Sequence, residues 1–313
     1  MESNSIRYPH RLLFLRELIP ISMKRLILWH LFSFLCFALR DAAQGGTVPA
    51  IRNVKFAQIG ERTLEADLYL PDRKSRPPLI VWIHGGAWRG GSKNGIPLGK
   101  LLDDGYAICS VDYRLSTEAK FPTQIHDIKA AIRFLRAHGE EWHLATAQIV
   151  VAGDSAGGHL AALVGVSNGV MELEGKVGEC RNQSSDVQGV ISFYGAANLT
   201  TILKQSTPHG LSVRIPALDL LLGGQPESLP ELARLASPVY HVDQHDPPLL
   251  LLHGDQDEQM PVNQSLELFG AYKKAKASVQ LEIVHGAGHG GAMFYDDERL
   301  QIVRKFLNQY FPN

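Results

Sequence analysis

Of 313 residues only three are cysteines, at positions 36, 109 and 180. Three thiols at that spacing cannot staple a small disulfide scaffold, and they fit no zinc-ligand pattern. Neither sign of charge dominates: 31 Lys and Arg face 32 Asp and Glu, for a net charge of −1. A nucleic-acid binder or a protein held on an anionic membrane needs a basic excess that is absent here. No apolar run reaches the roughly 20 residues of a bilayer-spanning helix. There is no internal repeat, low-complexity tract or linker-like stretch. The remaining composition, 45% hydrophobic and 20% charged with 29 Gly and 17 Pro, is that of an ordinary globular protein.

Residues 1–44 read as targeting sequence. Lys24 and Arg25 precede an apolar run over 26–39 that only His30 and Ser33 interrupt, and the small residues Ala42 and Ala43 follow before Gly45. This is the layout of a secretory signal peptide. Gln44 is a poor residue at a cut before Gly45, so cleavage is expected near 42–45. Met23 stands directly before Lys24 and is the expected start of the signal, with 1–22 an upstream extension; an uncleaved interfacial helix is the alternative. The expected product is a secreted or periplasmic domain, residues 45–313, with no stable membrane partner once the leader is removed.

Beyond the leader, short apolar runs alternate with amphipathic stretches. Residues 54–59 and 63–70 alternate like an antiparallel pair joined at Gly60-Glu61-Arg62. Continuous apolar runs at 78–84, 106–112, 148–153, 187–194, 248–253 and 279–285 predict strands buried on both faces. Helical periodicity occupies 123–138, 156–167, 262–275 and 296–309. Strands alternating with helices predict a mostly parallel sheet covered on both sides, in one domain. Residues 198–236 break the pattern, with Pro208, Pro216, Pro226 and Pro230 and no long period. They form a candidate lid, the alternative being a plain surface excursion.

Gly153-Asp154-Ser155-Ala156-Gly157 matches Gly-x-Ser-x-Gly between a predicted strand and a small-residue helix. That is the setting of a nucleophile elbow, where a strained serine demands small neighbours. His84-Gly85-Gly86-Ala87-Trp88 ends another strand, and small residues there let backbone N–H groups approach a developing oxyanion. Gly86, Ala87 and Ala156 are the expected donors, with Gly85 an alternative to the first two. A serine nucleophile needs a base, and the base needs an orienting acid. Two loops after later strands supply them: His253-Gly254-Asp255-Gln256-Asp257 and Gly286-Ala287-Gly288-His289-Gly290. Asp257, just before the next helix, is favoured over Asp255, and His289, on the glycine loop, over His285. Ser155, Asp257 and His289 are thus the expected triad. His84 is expected to brace its loop by hydrogen bonds.

These motifs, with Asp112-Tyr113-Arg114-Leu115, resemble those of the α/β-hydrolase superfamily, in particular its hormone-sensitive-lipase-like and feruloyl-esterase-like carboxylesterases. The resemblance covers about residues 50–310 in the expected chain order. It implies an α/β-hydrolase fold with an eight-stranded, mostly parallel sheet, and hydrolysis of short acyl esters; together with the expected export it favours an extracellular ester, such as an acetylated or feruloylated polysaccharide. One departure is Ala87, where lipolytic members often carry a third glycine; alanine still offers an N–H. Arylformamidases are similar too, so an amide or peptide hydrolase on the same triad stays open, as does a non-catalytic binding member. No cofactor or metal is implied. Gly286, Gly288 and Gly291 mimic a dinucleotide fingerprint, but only one helix follows where a further strand would be needed. His285 and His289 lie on a glycine loop, so they do not share a helix face as a zinc pair would. The expected partner is a small-molecule or polysaccharide-linked ester, not nucleic acid.

Overall fold

In the computed structural model, residues 47–72 and 76–311 are described; the segment 1–44, expected to be a leader, lies outside them. Eight strands form one sheet: β1 (Ile51–Ile59), β2 (Arg62–Tyr69), β3 (Pro78–Ile83), β4 (Ala107–Val111), β5 (Ala145–Asp154), β6 (Gly189–Phe193), β7 (Leu249–Gly254) and β8 (Val279–Val284). Their order in the sheet is β1-β2-β4-β3-β5-β6-β7-β8. β2 pairs antiparallel with β1 and with β4, and every other neighbouring pair is parallel. The antiparallel hairpin and the mostly parallel sheet are as the alternation predicts.

The inner strands carry apolar residues at consecutive positions because both faces are covered. Leu79, Val81 and Ile83 of β3 enter one core, with Ile149 and Val151 of β5. Ile80 and Trp82 enter the other, with Val150 and Ala152. Side chains alternate across a strand, so a run without polar interruptions feeds both cores at once. The first core is closed by α1 (Thr123–His138), through Ile125, Ile128, Ile132 and Leu135, and by α2 (Ala156–Val166). α2 is buried along its whole length, which its Ala and Gly residues permit.

The segment 198–236 is helical, a difference from the irregular stretch its sequence suggests. After the single turn α3 (Met171–Glu174) come α4 (Ile202–Gln205), α5 (Pro208–Leu222) and α6 (Pro230–Leu235). α5 starts with Pro208 at its first turn and the Thr207 side chain accepting from the Gly210 N–H, and it continues through Pro216. Ala217, Leu218, Leu221 and Leu222 pack into the first core. Tertiary burial here outweighs the roughly 3 kcal/mol that an internal proline costs. α7 (Asn263–Ala275) adds Leu268 and Tyr272 to the same core, and α8 (Asp297–Tyr310) covers the second through Leu300, Val303, Phe306 and Leu307. Cys109 and Cys180 are both free thiols, and Cys109 is buried in β4.

Candidate active site

Ser155 stands between the end of β5 and the start of α2 with φ 51° and ψ −113°, a left-handed conformation for a residue with a Cβ. Such strain is held only by close packing around the turn. Gly157 shows how close: a Cβ there would fall 2.0 Å from the Ile83 carbonyl oxygen. The turn lifts the serine hydroxyl off the strand end, where it meets the loop after β8.

The Ser155 Oγ lies 2.9 Å from His289 Nε2, and His289 Nδ1 lies 2.7 Å from Asp257 Oδ2. The hydroxyl donates to Nε2, and the Nδ1–H donates to the carboxylate. Asp257 is itself fixed: its Oδ1 accepts from the N–H groups of Gln259 (2.9 Å) and Met260 (2.7 Å), and His253 Nε2 stands 3.4 Å from Oδ2. Burial pushes the Asp257 carboxyl up. Hydrogen bonds from His253 and His289, the charge of His289 and the Met260 N–H outweigh that and carry it well below the usual carboxylate range. It is therefore an acceptor at neutral pH, which requires the imidazole proton on Nδ1 and leaves Nε2 to accept from Ser155. Gly254 lets the two loops meet, since a Cβ there would lie 2.1 Å from the Ala287 carbonyl oxygen.

The alternative residues form a pair of their own. Asp255 Oδ2 accepts from His285 Nδ1 at 2.8 Å, and Oδ1 accepts from the Gly286 N–H at 2.8 Å. The His285 side chain is 84% exposed. Neither residue is hydrogen-bonded to Ser155 or His289 among the described residues.

The loop after β3 supplies the expected oxyanion donors. Gly85 donates its N–H to Asp154 Oδ1 at 2.7 Å, so that donor is occupied. Among the described residues the N–H groups of Gly86 and Ala87 have no intramolecular acceptor. Ala156 opens α2, so its N–H has no partner one turn back. Ala87 takes φ 52° and Trp88 φ 59°, two successive left-handed residues neither of which is glycine. Anchors on both sides hold that strain. His84 stacks on Tyr113 at 4.4 Å between ring centres, and its Nδ1 donates to the Gly85 carbonyl at 2.8 Å. This is the bracing role expected of it, and burial lowers its pKa and favours the neutral ring. Tyr113 donates its hydroxyl to the His84 carbonyl at 3.1 Å.

Three supports were not legible in the chain. Trp88, fully buried, donates its Nε1–H to His159 Nδ1 at 3.0 Å, and His159 donates its Nε2–H to the Ala236 carbonyl at 2.7 Å. Oxyanion loop, nucleophile helix and the 198–236 segment are thereby tied together. Burial pulls His159 down to about 4, which keeps it neutral and able to accept from Trp88. Tyr194 packs its ring edge-on to His289 at 4.9 Å, and its hydroxyl lies 3.4 Å from Asp154 Oδ2 and 3.0 Å from the Tyr295 hydroxyl. Trp88 ends the His84–Trp88 motif, but its partner, like those of His159 and Tyr194, comes from a remote element and leaves no local pattern. The described residues contain no cluster of His, Cys, Asp and Glu able to hold a metal.

The chain matches the family model BD-FAE over residues 66–272. It is 31% identical to Esterase LipC of Mycobacterium tuberculosis over 76% of this chain and 60% of that one. The chain spans about half the length of the curated relatives it matches, 60%, 44% and 47% for the first three. Among solved structures it is similar to a truncated carbohydrate esterase from gut microbiota, with a TM-score of 0.77 and 31% identity, covering 85% of this chain and 98% of that one. It is also similar to the butyrate-bound thermophilic esterase Est2 of Thermogutta terrifontis, with a TM-score of 0.69 and 27% identity over 84% and 95% of the two chains. Sheet order, elbow geometry and these matches agree: the chain belongs to the BD-FAE family, within the α/β-hydrolase superfamily.

Proposed function

We propose that the protein is a serine carboxylesterase that hydrolyses short acyl esters by two-step acyl transfer. The observation that carries the reading is the unbroken chain from Ser155 Oγ through His289 to Asp257, at 2.9 and 2.7 Å. Ser155 attacks the ester carbonyl as His289 Nε2 takes its proton. Asp257 holds the tautomer and stabilises the imidazolium that forms. The N–H groups of Gly86, Ala87 and Ala156 receive the oxyanion, each such donor being worth on the order of 2.7–4 kcal/mol of barrier. His289 then gives the proton to the leaving alcohol, and water repeats the sequence on the acyl-enzyme. Because the hole is made of backbone held by Trp88, Tyr113 and Asp154, little reorganisation accompanies the reaction. Acetyl or feruloyl groups on polysaccharides are the proposed natural esters. Similarity to a carbohydrate esterase supports the carbohydrate, and similarity to a butyrate-bound esterase supports the short acyl chain.

Hydrolysis of 4-nitrophenyl esters from acetate to decanoate, beside acetyl release from acetylated xylan, tests the reading. Turnover should peak at the short acyl end and vanish in Ser155→Ala while the circular-dichroism spectrum is kept. Turnover of formylkynurenine or peptides in preference to esters would replace the reading with an amide hydrolase.

A further inference from the structure

We propose that Arg214 is a recognition site for a carboxylate carried by the ester substrate. The inference rests on the esterase reading above and names the substrate class of that site. Arg214 projects from α5, in the segment between β6 and β7. The first turn of α5 lies directly against the loop that carries Asp257: a Cβ at Gly210 would sit 3.0 Å from the Glu258 carbonyl oxygen. The Arg214 Nε donates to the Gln259 carbonyl at 3.3 Å, and its guanidinium carbon lies 6.0 Å from the centre of the Trp88 ring. The guanidinium thus lies between the acid loop and the oxyanion loop.

Its donors are left over. Arg214 is 0% exposed, and both terminal nitrogens are buried without an acceptor among the described residues. Those two nitrogens carry four N–H groups in a planar fork suited to a carboxylate. The carboxylate whose field reaches Arg214 is Asp257, and its oxygens already serve His289, His253, Gln259 and Met260. The other neighbouring charge is positive, Arg89, exposed on the oxyanion loop. Burial pulls Arg214 down to about 10, against the field of Asp257 and with that of Arg89, so it stays charged at neutral pH. A buried cation without a counter-ion is costly. The contact with Trp88, at the outer limit for a cation on a ring, does not offset that cost. Neither terminal nitrogen has accessible surface in this structure, so a substrate carboxylate would reach the unused fork only when α5 moves off the acid and oxyanion loops; it would then accept in bidentate fashion, and Arg89 would draw the anion in from solvent.

Two matched ester pairs test this by pH-stat, and they also decide which half of the ester bears the charge. On the acyl side monoethyl succinate is compared with ethyl butyrate. On the alcohol side 3-acetoxypropanoate is compared with propyl acetate. In each pair a carboxylate replaces a methyl group at constant length. The wild type should show the higher kcat/KM for the charged member of one pair. Arg214→Met should cut that charged-to-neutral ratio about 10- to 100-fold, the range of a lost charged hydrogen bond, and Arg214→Lys should recover part of it. A merely structural arginine would lower both esters alike and leave the ratio. That result, or a wild-type ratio of one or below in both pairs, overturns the proposal. Calorimetric titration of Ser155→Ala with succinate and with 3-hydroxypropanoate separates the two claims. Carboxylate binding through Arg214 without ester turnover in the wild type would sink the esterase reading and keep the site. Ester turnover without carboxylate binding would do the reverse. Should Arg214→Met fail to fold, the wild-type ratios, Arg214→Lys and the titration still decide it.

Discussion

Asp257→Asn separates charge from shape at the centre of the site. Oδ1 of Asp257 accepts two backbone N–H groups, from Gln259 and Met260. In the variant the amide oxygen must take that place, because an amide NH₂ there would face two donors. The NH₂ then occupies the position of Oδ2, 2.7 Å from His289 Nδ1. Facing a donor, Nδ1 must accept, so the imidazole proton moves to Nε2. Nε2, 2.9 Å from Ser155 Oγ, is then a donor where the reaction needs a base. The loss should approach the roughly 10⁴-fold that the same change causes in a serine protease, about 5.5 kcal/mol of barrier. The assay is kcat/KM on 4-nitrophenyl acetate, with circular dichroism to show the fold intact. Asp255→Asn is the control: its partners are His285 and Gly286 at the surface, and turnover should change less than about twofold. Equal losses in the two variants, or a larger loss at 255, would refute the tautomer argument.

Trp88→Phe removes the donor to His159 Nδ1 and leaves a buried acceptor unpaired; urea unfolding should show a loss of about 1–3 kcal/mol, and unchanged stability would mean the bond contributes nothing. Asp257 is held below its ordinary pKa, so the unfolded chain binds the extra proton as pH falls; its contribution is complete above about pH 4 and fades below it. Urea midpoints should therefore fall more between pH 5 and pH 3 in the wild type than in Asp257→Asn, and equal falls would contradict the assignment. We propose that the leader over 1–44 directs export, so N-terminal sequencing of exported protein should begin near residues 42–45; an intact Met1 or Met23 on a membrane-bound product would exclude it.

The sheet was readable from the chain because strands covered on both faces have no polar register to obscure them. Residues 78–84 foretell Pro78–Ile83, and the three- and four-residue spacings of 123–138 foretell Thr123–His138. β5 begins at Ala145, earlier than its apolar run, because Ala145–Gln148 is half-exposed and carries no hydrophobic signal. α5 was hidden by Pro216 and by apolar residues spread round the helix rather than along one stripe. At the site, Ser155 and the glycine loops announce themselves because their backbone demands small residues at fixed offsets. Asp255 and Asp257 differ in sequence by two positions on one loop. The turn that aims them at His285 and His289 respectively is a tertiary fact. Tyr194 and Arg214 carry no local signature, since what defines each is a neighbour contributed by a remote element.

The central claim is that Ser155, activated by His289, is the nucleophile. Treatment of the folded protein with a fluorophosphonate, followed by intact-mass and peptide mass spectrometry, tests it most directly. The account predicts one adduct per chain, on the peptide containing Ser155, formed in step with the loss of ester hydrolysis and absent from Ser155→Ala. An adduct on another serine with hydrolysis lost, or undiminished hydrolysis by folded Ser155→Ala, would contradict it.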